Sequence, residues 1–263
     1  MDLKLKNKVA LVTGASRGLG FATARGLSLE GARVAINSRD AEKLAASAQG
    51  LQKETGNPVL ALPGDVTDPA VPEQLVRQVA EAFGGLDLLV TNAGGPPTGK
   101  FEAIDDATWQ KAIDLSLMSH VRLIRAALPH LRKSKAASVL AVTSYSVKQP
   151  IPNLLLSNSV RAATVGLIKT LALELGQDGI RFNSILPAWT ETERIYELIA
   201  VRTKANGTTV EEEIKKQAKD SALGRMGTLE EFSNAAVFLL SPAASYLTGV
   251  MLTVDGGLYK GTL

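Results

Sequence analysis

The sequence predicts a single α/β domain over residues 1–263, built on a doubly wound sheet of seven parallel strands. Seven short runs rich in Val, Ile and Leu carry this reading: Val9–Thr13, Arg33–Asn37, Val59–Leu62, Leu86–Thr91, Ser138–Thr143, Ile180–Leu186 and Val250–Val254. Each suits a strand buried on both faces. Longer helical patterns separate them, and parallel strands need such crossovers, whose right-handedness puts helices on both sides of the sheet. No internal repeat, low-complexity tract or linker divides the chain.

Taken in order, the first run leads through Thr13-Gly14-Ala15-Ser16-Arg17-Gly18-Leu19-Gly20 into a helical pattern, Phe21–Leu29. The second closes on Asn37-Ser38-Arg39-Asp40, where Asp40 ahead of Ala-Glu-Lys-Leu reads as a helix N-cap. After the third, Asp68 before Pro69 reads as a cap with proline in the first turn. The apolar helical stretches Ala112–Leu131 and Leu154–Leu175 follow the fourth and fifth runs. Residues 191–221 then break the rhythm. Glu211, Glu212, Lys215 and Lys216 are spaced there for i,i+4 ion pairs, which suits a solvated helix. Their place after a strand's carboxyl end also suits a lid over a ligand. Thr228–Glu231 is a capping box opening the last helix.

Composition narrows the chemistry. There is no cysteine, so disulfides, thiolate metal sites and a cysteine nucleophile are excluded, and two histidines, His120 and His130, do not suffice for a His-rich metal centre. An acid or base must come from few residues, four tyrosines among them. The 29 Lys and Arg exceed the 26 Asp and Glu by only three and are interleaved with them, which argues against nucleic acid. No apolar run approaches the roughly 18 residues that span a bilayer, and residues 1–8 are followed by a strand-like run in place of a signal-peptide core. A cytoplasmic protein without a membrane partner is expected.

The glycine loop is the strongest motif. Its glycines permit a sharp turn and close approach of a pyrophosphate, and the helix behind it offers free N–H groups and a positive dipole end. The Gly14-x-x-x-Gly18-x-Gly20 spacing differs from Gly-x-Gly-x-x-Gly and lacks the Lys of a P-loop. At the second strand's end, Arg39 together with Arg17 would attract a 2′-phosphate, so NADP(H) is favoured over NAD(H), with Ser38 alongside.

With these motifs the chain resembles the short-chain dehydrogenase/reductase (SDR) family, near the 3-oxoacyl-[acyl-carrier-protein] reductases. The likeness runs end to end through Gly64-Asp65-Val66, Thr91-Asn92-Ala93-Gly94, Gly179–Asn183, Pro187 with Thr192, Leu247–Gly249 and Asp255–Gly257. It implies a Rossmann-type fold, cofactor contacts from Gly14, Ser16, Arg17, Gly18, Leu19 and Gly20, adenine contacts from Asp65 and Val66, and a wall made by Asn92, Ala93 and Gly94. Pro187, Thr190 and Thr192 would meet the nicotinamide, with Ala188 in place of the usual glycine.

The family's catalytic set is a proton-donating Tyr, a Lys four residues later that tunes it and holds the ribose, a substrate-orienting Ser and an Asn anchoring a water relay. Ser144 matches the serine. The tyrosine position falls on Ser157, thirteen residues on, the lysine on Arg161 and the asparagine on Ser116. A serine hydroxyl is a far weaker acid than a phenol, and Arg161 keeps its proton while still able to bind ribose. Tyr145, Tyr196 and His120 are the remaining candidate acids, with loop packing, lid packing and a helix contact as their structural alternatives. Two functions stay open: an NADP(H)-dependent oxidoreductase moving hydride between nicotinamide and a small carbonyl or alcohol, or a non-catalytic dinucleotide-binding homologue. By resemblance the chain is a homotetramer or homodimer.

Overall fold

A computed structural model describes residues 1–262. Its strands are β1 (Val9–Val12), β2 (Arg33–Ser38), β3 (Val59–Pro63), β4 (Leu88–Thr91), β5 (Ser138–Val142), β6 (Arg181–Pro187) and β7 (Met251–Val254). They form one parallel sheet in the order β3-β2-β1-β4-β5-β6-β7, so the strand order reverses between β1 and β4. The helices are α1 (Gly18–Leu29), α2 (Ala41–Thr55), α3 (Val71–Phe83), α4 (Asp106–Ile113), α5 (Ser119–Leu131), α6 (Leu155–Glu174), α7 (Glu193–Asn206), α8 (Val210–Lys219) and α9 (Leu229–Leu240).

Period-two alternation sorts the strands between two cores. Ala10 and Val12 face α1, α2 and α9, where Leu27, Leu44 and Phe232 are buried. Val9 and Leu11 face α3, α5 and α6, where Val79, Leu123 and Ile168 are buried. This is the expected doubly wound, Rossmann-like arrangement, with ligands due at the strands' carboxyl ends beside the β1/β4 reversal. Arg181 fastens the last layer: its guanidinium donates to the carbonyls of Leu239, Leu240, Ser241 and Leu247.

Two local expectations fail. Asp68 does not cap a helix. Its carboxylate accepts from the Ala70 N–H at 2.9 Å, closing a turn ahead of α3, whose first-turn proline is Pro72. An Asx turn and an N-cap use the same short side chain, and the second proline decides between them. Likewise Glu212 spends its carboxylate on the Thr209 N–H in a capping box, not on a lysine one turn on. Glu211, Glu212, Lys215 and Lys216 are nonetheless exposed on α8, as a solvated helix requires, while Glu213 is buried and accepts from Asn206 and Thr208; residues 191–221 hold two helices joined at Gly207, φ 64°. By contrast, Asp40 caps α2 and Thr228 with Glu231 boxes α9 as expected.

Candidate active site

The glycine loop is fastened to the end of β4. Thr13 Oγ1 donates to the Asn92 carbonyl at 2.8 Å and accepts from the Asn92 N–H at 3.0 Å, and Asn92 Nδ2 donates to the Gly14 carbonyl at 3.0 Å. The packing is tight enough to demand glycine: a Cβ on Gly14, φ 58°, would stand 2.8 Å from Asn92, and one on Gly20 would stand 2.4 Å from the Gly14 carbonyl. Arg17 precedes α1 without a side-chain cap, and the N–H groups of Gly18, Leu19 and Gly20 find no protein acceptor among the described residues. A cradle of this shape and polarity fits a pyrophosphate. Ser16 holds the loop through its carbonyl, which accepts from Ser47 of α2 at 2.8 Å.

Arg39 is exposed at the end of β2, 3.9 Å from the Asp65 carboxylate, and Ser38 stands beside it. Asp65 turns its other oxygen to Thr67, and Val66 is buried behind it. Arg17 does not turn towards Arg39. Its guanidinium pairs with Glu193 and reaches Glu197 at 3.5 Å, both on α7. Thr192 caps α7 by accepting from the Ile195 N–H, and its methyl lies 3.9 Å from where a Cβ on Gly18 would be. Thr190 is buried and bridges to Gly227, while Ala188, after Pro187, bonds to Val254.

Ser144 lies just beyond β5. Its Oγ accepts from the Ser146 N–H at 3.1 Å, which leaves its own O–H free to donate. Ser157 sits half-buried in the first turn of α6, one turn before Arg161 and therefore on the same helix face. Arg161 is buried. One nitrogen donates to the carbonyls of Val142 and Thr143 at 3.1 and 3.2 Å and the other to Gly94 at 3.4 Å. Burial pulls its pKa down to about 10, so it remains a cation at neutral pH.

Ser116 lies in a π-helical turn, Asp114–Met118, between α4 and α5. Its carbonyl accepts from Thr164 of α6, and its own Oγ is buried without a partner. A π turn of this kind commonly marks a functional position. Next to it, His120 is buried with Nδ1 2.7 Å from Thr91 Oγ1. Burial first, and the Arg161 charge second, push its pKa down to about 3, so the ring is neutral. Tyr145 is buried against Leu186 and Leu258, and burial raises its phenol; its charged neighbours are Arg202, Asp220 and Asp255. Tyr196 is 43% exposed on α7.

Ser144, Ser157 and Arg161 thus gather beyond β5 and on α6, and the glycine loop, Asn92 and Gly94 gather at the β1/β4 reversal. Sequence reading missed Thr13 as the loop's anchor and Glu193 and Glu197 as partners of Arg17. No local signal joins residues 176 and 180 positions apart. It also missed the Thr91–His120 pair, for which only polarity inside an apolar helix gave a hint.

This combination defines a dinucleotide-binding oxidoreductase fold, and the comparisons assign its family. A family model described as enoyl-(acyl carrier protein) reductase matches residues 14–259. The chain belongs to the short-chain dehydrogenase/reductase family. It is 32% identical over 258 residues to L-rhamnose 1-dehydrogenase (NAD(P)(+)) of Sphingomonas sp. (strain SKA58), covering 97% of each chain. With the 3-oxoacyl-[acyl-carrier-protein] reductase of Chlamydia muridarum it shares 31% identity over 258 residues, covering 98% of this chain and 100% of the relative. The crystal structure of L-sorbose reductase from Gluconobacter frateurii, complexed with NADPH and L-sorbose, superposes with a TM-score of 0.95 at 33% identity, covering 99% and 100% of the two chains.

Proposed function

We propose that this oxidoreductase uses NADP(H) in preference to NAD(H) and reduces a small carbonyl, a sugar ketone or an oxoacyl group, through an altered catalytic set in which Ser157 and Arg161 stand where Tyr and Lys serve in the family. The observation that carries this is the Arg161 fork, bound to three main-chain carbonyls on the face it shares with Ser157. The NADPH complex of the sorbose reductase, and the rhamnose and oxoacyl substrates in the relatives' names, support the cofactor and the substrate class.

In this reading Gly14, Gly18, Leu19 and Gly20 hold the pyrophosphate, with Ser16 fixing the loop. Arg17 and Arg39, with Ser38, take the 2′-phosphate, and Asp65 and Val66 flank the adenine. Asn92, Ala93 and Gly94 wall the cofactor, and Pro187, Thr190 and Thr192 meet the nicotinamide, which when bound supplies or accepts the hydride. Ser144 donates its free O–H to the substrate oxygen. Arg161 holds a fixed positive charge near that oxygen, which favours the developing alkoxide, while Ser116 marks the position of the family's asparagine. Arg161 does not release its proton at neutral pH, and Ser157 is too weakly acidic to act alone, so the proton comes from water at the gap that Ser157 leaves. Tyr145, whose phenol is raised by burial, packs against Leu186 and Leu258 and serves as loop packing in this reading. Residues 191–221 serve as the substrate lid of a single domain. Exposed Leu173, Tyr246, Leu247 and Met251 on α6 and around β7 support a homotetramer or homodimer, in the cytoplasm.

The test is NADPH oxidation against L-sorbose and acetoacetyl thioesters and NADP+ reduction with L-rhamnose, with NADPH binding followed by its fluorescence. Slow turnover that survives Tyr145→Phe is expected, because a missing positioned acid costs about 10²–10⁴-fold without abolishing hydride transfer. Tight binding with no turnover on any of them overturns the reductase and favours the non-catalytic dinucleotide-binding reading.

A further inference from the structure

At the amino ends of the strands, opposite the candidate active site, lies a separate cleft of about 360 Å³. Arg33, Phe83, Asp87, His130, Lys133 and Ser134 line it. The cleft holds more positive charge than its surroundings use. Asp87 is the only acid among its lining residues, and both its oxygens are committed, one to the Val9 N–H at 2.8 Å and the other to the Ser134 hydroxyl. Arg33 lies 5.6 Å over the Phe83 ring and donates once, to the Asn7 carbonyl. Its Nε is buried with no acceptor. Lys133 has no ion-pair partner among the described residues.

The negative dipole ends of α3 and α5 offset part of this charge, but among the described residues no carbonyl of either helix accepts from the Arg33 or Lys133 side chain. α3 and α5 both end at the cleft, yet the carbonyls of Ala80, His130 and Leu131 already accept from Gly84, Lys133 and Ser134. We propose that the cleft binds a small phosphate-bearing anion, held by Arg33 and Lys133 with His130 beside them. A phosphate presents several strong acceptor oxygens, which suits donors converging from β2 on one side and the end of α5 on the other. The volume exceeds that of a lone phosphate, so the ligand carries further atoms or a second phosphate.

Pyrophosphate is the probe, followed by hydrogen–deuterium exchange of the full chain with ionic strength balanced by potassium chloride. Saturable slowing of exchange is expected in peptides covering residues 83–88 and 130–136. In Lys133→Glu with His130→Asn, both partly or fully exposed, the concentration needed should rise about tenfold or more, as for other charge partners removed from a binding site. Any pyrophosphate protection at residues 13–21 should be unchanged in that variant. Arg33→Gln should give the same loss, with folding checked by circular dichroism. No protection of residues 83–88 and 130–136 in the native chain, or equal protection in the Lys133/His130 variant, overturns the proposal.

Discussion

Arg161 shows most clearly what one residue decides here. Spacing alone places it one turn after Ser157, but its guanidinium is spent on the carbonyls of Val142, Thr143 and Gly94, and no sequence rule says where a five-donor fork will turn. Arg161→Met should therefore destabilise the fold by about 1–3 kcal/mol, since each stranded acceptor carries a desolvation cost. Arg161→Lys should recover part of that loss in chemical denaturation. The pair Ser157→Tyr with Arg161→Lys rebuilds the family's acid and cation. It should raise kcat for carbonyl reduction by about 10²-fold or more, the value of a positioned acid. An unchanged kcat in a folded double variant means that the register placing Ser157 at the tyrosine position is wrong.

Among the elements, the strands and the starts of α2 and α9 were legible because their signals are local. Apolar runs bounded by turn residues gave all seven strands to within about two residues, the usual error of boundary assignment, and Asp40 and Thr228 capped the helices that their side chains announce. Asp68 misled because an Asx turn and a cap look alike until Pro72 is weighed. What α7 does to the glycine loop was not legible at all. Glu193 and Glu197 hold Arg17, the residue expected to meet the cofactor's 2′-phosphate, so phosphate and lid carboxylates compete for one guanidinium. These pairs are exposed and individually weak. Glu193→Gln with Glu197→Gln should accordingly tighten NADPH binding by about 3–10-fold while leaving NADH nearly unchanged, the range of one or two surface pairs. Parallel titrations of both nucleotides check this, and an equal gain for NADH contradicts the competition.

For the whole molecule, acid stability follows from groups whose pKa the fold displaces. His120 is held neutral, its pKa lowered from 6.5 to about 3, so the unfolded chain takes up the proton first as pH falls. Its contribution is fully present above pH 6.5 and is lost progressively towards pH 3. Glu231, held down to about 2 by Arg225 first and by the Thr228 N–H second, adds a loss in the same direction below its ordinary 4.5. Denaturation of His120→Gln should show a flatter stability profile from pH 6.5 down to about 5.5, where Glu231 is still largely ionised in both states. A profile parallel to the native one means that the ring is protonated in the fold. The molecule as a whole pairs a glycine cradle closed by Asn92 with an altered acid and cation, and the cradle bears the account's weight. Fluorescence titration of NADPH into the native chain and into Gly20→Ala tests it most directly. Saturable binding in the native chain, lost in a variant whose circular dichroism is unchanged, is the expected result. Absence of saturable binding to the native chain, or equal binding to both, contradicts the account.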